Sequence, residues 1–316
     1  MSEETRLDSE GIQTALLQWA IKNTPVPEDN QDESKPVFRK PHEIGKEWYE
    51  AIFGKSDVER LREVLDALKE ASEPERIVDL LESLHFLVEM THNANDLYKI
   101  GGLESVLDLL YHEDVGVRTH TLWVLATCAS NNPEFQRVLL DNKGFERVLT
   151  LWSDCRDAEE RGKALLVVSA MTRHCQGGIE MFLAQGGLDV LAELLASSSE
   201  RMQRKISFML KHLVFEHSEL PHLQICKQIR ESRLLAAMIQ ALELRDTDLR
   251  ENLVSALHGL AQDKRSCSKL EEQGVVEVLS LLKKQEDERM RVESDYDPRE
   301  MLAQVDEIIL ILSRYK

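Results

Sequence analysis

The sequence predicts an all-α protein: a right-handed helical-repeat solenoid with helical caps at its ends and a flexible N-terminal segment. Three observations carry that prediction. Beyond residue 45 the apolar residues recur at the helical period, with no convincing run of alternation. Two separate sequence landmarks recur about every 43 residues. Gly (14) and Pro (8) are sparse in 316 residues of which 42% are hydrophobic, so long helices with a sizeable core are expected.

Residues 1–45 stand apart from the rest. Four of the eight prolines (Pro25, Pro27, Pro36, Pro41) alternate with Glu28, Asp29, Asp32 and Glu33. Such a stretch buries too little apolar surface to offset its ordering entropy, which predicts a mobile linker. Before it, Ile12, Leu16, Trp19 and Ala20 share one helical face. That short helix either packs on the main body or is offered to a partner.

Residues 46–95 read as an N-terminal helical cap. Asp57 to Ala71 forms one helix, and Ser72-Glu-Pro-Glu75 reads as a capping box that opens a second, running to about Met90. Residues 96–285 then repeat, about four times. Gly101-Gly-Leu103, Lys143-Gly-Phe145, Gly186-Gly-Leu188 and Gln273-Gly-Val275 each lead into an apolar helix. The glycines 102, 144, 187 and 274 are separated by 42, 43 and 87 residues, the last being two periods. The intervening member, at Glu231-Ser-Arg-Leu-Leu235, has no glycine.

Arg118, Arg161, Arg204 and Arg250 keep nearly the same beat and each precedes a strongly apolar helix. A helical period of 40–47 residues is that of armadillo and HEAT repeats. In each unit the glycine permits a sharp turn at positive φ, and the last helix is expected on the concave side. Residues 286–316 close the array as an acidic C-terminal cap, because end units need polar outer faces. Such an architecture offers one long curved groove for another protein.

The balance of 39 basic against 57 acidic residues gives a net charge of −18. A surface of that sign repels phosphate backbones and anionic lipids, so neither nucleic acid nor membrane is the expected partner. No apolar run reaches the roughly 18 residues of a membrane-spanning helix, and Met1–Asp8 lacks the signal-peptide pattern. The five cysteines are scattered with no Cys-x-x-Cys pair, which fits reduced thiols and a cytoplasmic location.

Catalytic chemistry is not expected. There is no Gly-rich phosphate loop, Gly-x-Ser-x-Gly elbow or His-Glu-x-x-His pair. His212, His217 and His222 are five apart, which is not the spacing of ligands on one helical face, so no metal or cofactor is expected. His174 and Cys175 are adjacent and diverge by about 100° on a helix. They read as a surface imidazole and an interior thiol rather than a nucleophile pair. The run Lys283-Lys-Gln-Glu-Asp-Glu-Arg289 reads as solvated helix surface.

Several short motifs in consistent order resemble the cytosolic Fes-type Hsp70-binding proteins, the armadillo nucleotide-exchange factors of Hsp70 chaperones. Leu16-Leu-Gln-Trp-Ala-Ile-Lys-Asn23 is similar to that family's Leu-Leu-x-Trp-Ser-Ile-x-Asn opening. His92-Asn-Ala-Asn95 is similar to a recurrent Asp-Asn-Ala-Asn, with His in place of Asp. Ala126-Thr-Cys-Ala-Ser-Asn-Asn132 and the set Lys163, Ala164, Ser169 and Arg173 match two further stretches.

The resemblance implies a monomer that grips the nucleotide-binding domain of an Hsp70-class chaperone with its concave face and releases ADP. It further implies partner contacts at Ala94 and Lys205, and a substrate-releasing N-terminal segment built on Leu16, Leu17, Trp19 and Ile21. Asn93 and Asn95 flank Ala94 as further candidate contacts, and Asn131 and Arg173 lie where the repeat period places the concave surface of any armadillo protein. Without the resemblance, the residues describe an armadillo adaptor that holds an extended peptide or protein without exchange activity. Trp19, Trp48, Trp123 and Trp152 do not form the regular concave ladder of importin-type adaptors.

Overall fold

The computed structural model describes residues 54–197, 199–293 and 296–314; side chains 216–219 are outside the description. The segment holding Leu16, Leu17, Trp19 and Ile21, and the Pro-rich linker, lie outside the described residues. Among the described residues the protein is helical with no strand.

A two-helix cap opens the array: α1 (Asp57–Glu70) and α2 (Pro74–Val88). Five three-helix units follow. The first is α3 (Thr91–Lys99), α4 (Leu103–Asp108) with a 3₁₀ turn to Tyr111, and α5 (Val115–Ala129). The second is α6 (Pro133–Asp141), α7 (Gly144–Asp154) and α8 (Ala158–Met171). The third is α9 (Gln176–Ala184), α10 (Gly187–Ser197) and α11 (Glu200–Glu219). The fourth is α12 (Ile225–Glu231), α13 (Leu234–Ala241) and α14 (Thr247–Ala261). The fifth is α15 (Lys264–Glu272), α16 (Val275–Val292) and α17 (Arg299–Ser313).

Two expected boundaries move accordingly. The division at residue 95 falls inside α3, and the division at residue 285 falls inside α16. The C-terminal cap is therefore the second half of a fifth unit, and its last helix supplies Met301, Val305, Ile308 and Leu312 to the common core.

Caps explain where the helices begin. The capping box lies one helix earlier than expected: Ser56 accepts from the Glu59 amide (3.3 Å) and the Glu59 carboxylate accepts from the Ser56 amide (3.1 Å). At α2 the cap position is Glu73, not Ser72, and it makes no side-chain cap bond; Pro74 starts the helix by its fixed φ. Asp114, Asn132, Asp157, Asp246 and Asp263 cap later helices through their side chains.

The glycine landmark divides into two physical roles. Gly101, Gly186 and Gly274 hold the left-handed turn after the first helix, at φ of 81°, 73° and 70°, and Lys143 takes the same conformation at 56°. Gly102, Gly144 and Gly187, one residue on, are needed for closeness instead. A Cβ on Gly187 would lie 2.1 Å from the Phe182 ring, and one on Gly144 would lie 2.4 Å from Leu139. Gly274 thus corresponds to Gly101 rather than Gly102, a register shift of one in the last unit.

The third helices, together with α2, form one layer. Pairs α2–α5, α5–α8, α11–α14 and α14–α17 pack side by side, whereas the backbones of α8 and α11 are set wider apart. That widened seam positions the site described next.

Candidate protein-docking site

The seam is a cleft of about 300 Å³ between α5, α8 and α11. Its walls follow from helical spacing. Each third helix buries a broad stripe in the core and leaves a narrow stripe free, and the free stripes of three neighbouring helices meet here.

At one end three side chains from successive helices of this layer are stacked. The His85 ring of α2 lies against Trp123 of α5, centroids 4.0 Å apart, and the Lys163 ammonium of α8 sits 3.4 Å from the centre of the indole. Thr127 fixes the imidazole through a 2.9 Å contact between its hydroxyl and His85 Nε2. At the other end the Arg173 guanidinium lies 5.2 Å from the Phe208 ring, which meets His212 edge-on at 4.5 Å. Phe208 is 44% exposed and Phe215, two turns on, is 59% exposed.

The floor is polar and rigid. Gln136 Nε2 donates to the carbonyls of Ala170 (2.8 Å) and Ala129 (3.3 Å), tying the ends of α8 and α5 together. Asn131 and His174 occupy equivalent corners after these helices, at φ of 51° and 54°, in the left-handed region that costs a non-glycine residue energy. Asn131 thereby lines the cleft rim.

The electrostatics oppose those of the whole chain. Burial pushes the Lys163 ammonium below its ordinary range, with Lys205 and Arg201 reinforcing and Glu159 resisting. Burial also lowers Lys205, with Arg201 adding to it. His212 is lowered by burial, then by Arg173, Lys211 and His174. Like charges are crowded together here in a protein carrying −18, an arrangement that makes this cleft a candidate functional site.

The expected contact residues divide. Lys205, Arg173 and Asn131 converge on this cleft, along with Trp123 and Phe208, and Lys163 reaches its edge by lying over the Trp123 ring. Ala94 and Asn93 do not belong to any surface. Ala94 is 1% exposed, and Asn93 is buried with its amide donating to the Leu87 carbonyl (2.8 Å) and to Asp57 (3.2 Å). The Asn-Ala-Asn stretch is the first turn of α3, not a helix-ending turn, and two of its residues lock the cap onto the first unit. Asn95 links units as well: it donates to Glu134 (2.7 Å) and accepts from Asn132 (2.9 Å).

His212 is spent on Phe208, His222 faces Glu180 and Gln176, and among the described residues no group of three metal-ligating side chains converges. Cys175 is half-buried, and burial raises its thiol above the ordinary range, away from nucleophilic reactivity. Glu286 departs from the reading of its segment as solvated surface, being fully buried against Arg250.

Stacked three-helix units with such a layer of third helices define an armadillo-like solenoid. In solved structures the fold recurs in computationally designed armadillo repeat proteins for modular peptide recognition, with a TM-score of 0.67 at 18% identity over 79% of this chain and 99% of that one. A family model described as the SIL1/FES1/HPBP1 C-terminal domain matches residues 93–313, and one described as nucleotide exchange factor Fes1 matches residues 14–97. The chain belongs to the SIL1/FES1/HPBP1 family.

Among its relatives, the nucleotide exchange factor SIL1 of Rattus norvegicus is 25% identical over 279 residues, covering 80% of this chain and 60% of that protein. The Hsp70 nucleotide exchange factor FES1 of Mycosarcoma maydis is 26% identical over 180 residues, 56% of this chain and 46% of that one. Hsp70-binding protein 1 of Homo sapiens is 27% identical over 220 residues, 65% and 60% respectively. The chain thus spans about half to three fifths of the length of these relatives.

Proposed function

We propose that this protein is a nucleotide-exchange factor for an Hsp70-class chaperone and does not itself turn over a substrate. It docks as a monomer, in the cytoplasm, on the chaperone's nucleotide-binding domain through the third-helix face around Trp123, Lys163, Arg173, Lys205 and Phe208. Binding favours the open form of the nucleotide cleft, and ADP leaves. Leu16, Leu17, Trp19 and Ile21 belong to a segment that frees bound peptide from the chaperone.

The observation that carries this reading is the family match over residues 93–313, because those residues contain the helices α5, α8 and α11 that build the basic, aromatic cleft. Relatives bearing the names of Hsp70 exchange factors and an Hsp70-binding protein support the choice of partner. The test is stopped-flow release of a fluorescent ADP from a cytosolic Hsp70, with and without this protein. Acceleration supports the proposal. Tight binding with unchanged release would favour an armadillo adaptor instead.

A further inference from the structure

The free stripes of the third helices, followed along the solenoid, change charge twice. On α2 the stripe carries Asp79, Glu82 and Glu89. On α5 it carries His120, Trp123 and Thr127, with no acid. On α8 Lys163 dominates, with Glu159 at the start and Arg173 just past the end of the helix. On α11 Arg201, Lys205 and Lys211 surround Phe208, again with no acid on the stripe as far as Phe215. The sign then reverses sharply. On α14 it carries Asp248 and Glu251, and on α17 Glu300 and Glu307.

The acids of the α14 end are not consumed by structure. Asp248, Glu251 and Glu300 make no salt bridge among the described residues, unlike Asp246, which holds Arg204 at 3.0 Å, and Glu307, which meets His258 at 2.8 Å. Burial raises the Glu251 carboxyl, and Asp248 and Glu300 raise it further, with Lys211 of α11 partly opposing them. Two clusters of crowded like charge, opposite in sign, thus stand on neighbouring third helices. Each would be relieved by an opposite charge supplied from outside.

We propose that this face reads a partner surface with an acidic ridge bordered by basic groups, the ridge lying over Lys163, Lys205 and Arg201 and a basic border lying over Asp248, Glu251 and Glu300. The arrangement fixes the orientation of the partner along the solenoid as well as attracting it. A plain basic patch would attract an acidic surface in many orientations, whereas reversed charge beside it makes a shifted or inverted pose repulsive. The inference rests on the exchange-factor reading, with the chaperone's nucleotide-binding domain as the occupant.

The two models predict opposite signs for one experiment. Association of the intact protein with the Hsp70 nucleotide-binding domain is followed by stopped flow from about 20 to 300 mM salt, the range over which screening removes surface electrostatics. Wild type is compared with R201E/K205E and with D248K/E251K, folding being checked by far-UV circular dichroism and melting. R201E/K205E is expected to slow association by about tenfold at low salt. D248K/E251K is expected to slow it by about three- to tenfold too, although it makes the protein less negative. Both deficits should shrink as salt rises. If D248K/E251K associates at the wild-type rate or faster, the partner surface is uniformly acidic and the inference is overturned while the exchange reading stands. Absence of association by wild type would overturn both.

Discussion

Arg118 of α5 reaches across to the carboxylate of Glu160, a 1% exposed side chain in the first turn of α8, while its guanidinium also donates to the carbonyls of His112 (2.8 Å) and Glu113 (2.9 Å). One side chain thus closes the corner before its own helix and fastens the next unit. Arg250 repeats the device, donating to the Leu242 carbonyl (3.1 Å) and pairing with buried Glu286. Arg161 keeps only the corner contact, to Cys155.

The first prediction follows from that geometry. Removing one partner leaves a charge without compensation, which costs about 3–5 kcal/mol for a buried pair. Glu160→Ala is expected to lose stability toward the lower part of that range, because Arg118 is 18% exposed and keeps its two carbonyl acceptors, and Arg161→Ala to lose less, since Arg161 holds a carbonyl and no buried carboxylate. Urea unfolding midpoints of the two variants check the order.

A second prediction separates the two kinds of glycine constraint. A Cβ at Gly178 would fall 1.8 Å from the Met171 carbonyl oxygen, a backbone atom that cannot rotate away. At Gly101 the φ of 81° disfavours a side chain, but nothing lies within 4 Å. Gly101→Ala should therefore cost about 1 kcal/mol from conformation alone. Gly178→Ala should cost about 3 kcal/mol or more, because the junction of α8 and α9 must move. Melting temperatures of both variants decide it.

These contrasts show what the sequence could reveal. The 43-residue beat was legible because stacking imposes it twice, once as a turn that needs left-handed backbone and once as an arginine that ties the corner. The unit without glycine is recognisable only by spacing, since its turn between α12 and α13 uses no left-handed residue, Ser232 and Arg233 both lying at negative φ. The fifth unit was hidden because α16 continues to Val292 and disguises a regular second helix as an acidic cap.

The candidate cleft is partly legible in the sequence for a similar reason. Lys205 lies on a free stripe whose position follows from helical period, and Arg173 and Asn131 stand in the corners just past the ends of α8 and α5. Ala94 lies inside because α3 packs its first turn on the cap, a tertiary fact that a short motif does not encode. Trp123 and His85 are not legible as a pair because their stack joins successive units, and a single ring forms no tryptophan ladder.

The third prediction uses the crowding of positive charge. Lys205 is pushed below its ordinary range by burial and by Arg201, so Lys205→Glu removes a repulsion in the free protein. The variant should keep or slightly raise the melting temperature while binding the chaperone about tenfold more weakly. Ala94→Arg makes an uninformative docking probe by contrast, since a buried methyl site cannot take a guanidinium without unfolding its surroundings. Parallel melting and titration calorimetry on Lys205→Glu provide the check.

A fourth concerns pH. Burial lowers His85 and His212 from the ordinary value near 6.5, with Glu89 partly opposing it at His85 and Arg173 assisting it at His212. The unfolded chain then takes up protons at a pH where the folded chain does not, so stability rises with pH across that window. Their contribution is present in full above pH about 6.5–7 and is lost as the pH falls through the folded-state values. The melting temperature should therefore fall between pH 7.5 and 5.5, and the double variant His85→Gln, His212→Gln should flatten that slope. An unchanged slope would show that other groups govern it.

The last prediction concerns the proposed exchange activity and follows from linkage. The proposed action on the chaperone is binding alone. A ligand displaces a conformational equilibrium only by its difference in affinity for the two states. Faster ADP release at equilibrium coupling therefore requires tighter binding to the open, nucleotide-free chaperone. Coupling between two ligands is reciprocal, so ADP must weaken this protein's hold on the chaperone by the factor with which this protein weakens the hold on ADP. A coupling of about 1–3 kcal/mol corresponds to roughly 5- to 150-fold in affinity. Titrating the nucleotide-binding domain with this protein, with and without saturating ADP, measures one side of the cycle, and titrating it with ADP, with and without this protein, measures the other. The two ratios should agree, and Lys205→Glu should weaken binding in both arms while leaving the ratio nearer to wild type, because a docking charge that is engaged equally in both states contributes affinity without contributing coupling. A ratio of one in the first titration, together with accelerated release, would show that exchange proceeds by a route other than selection of the open state.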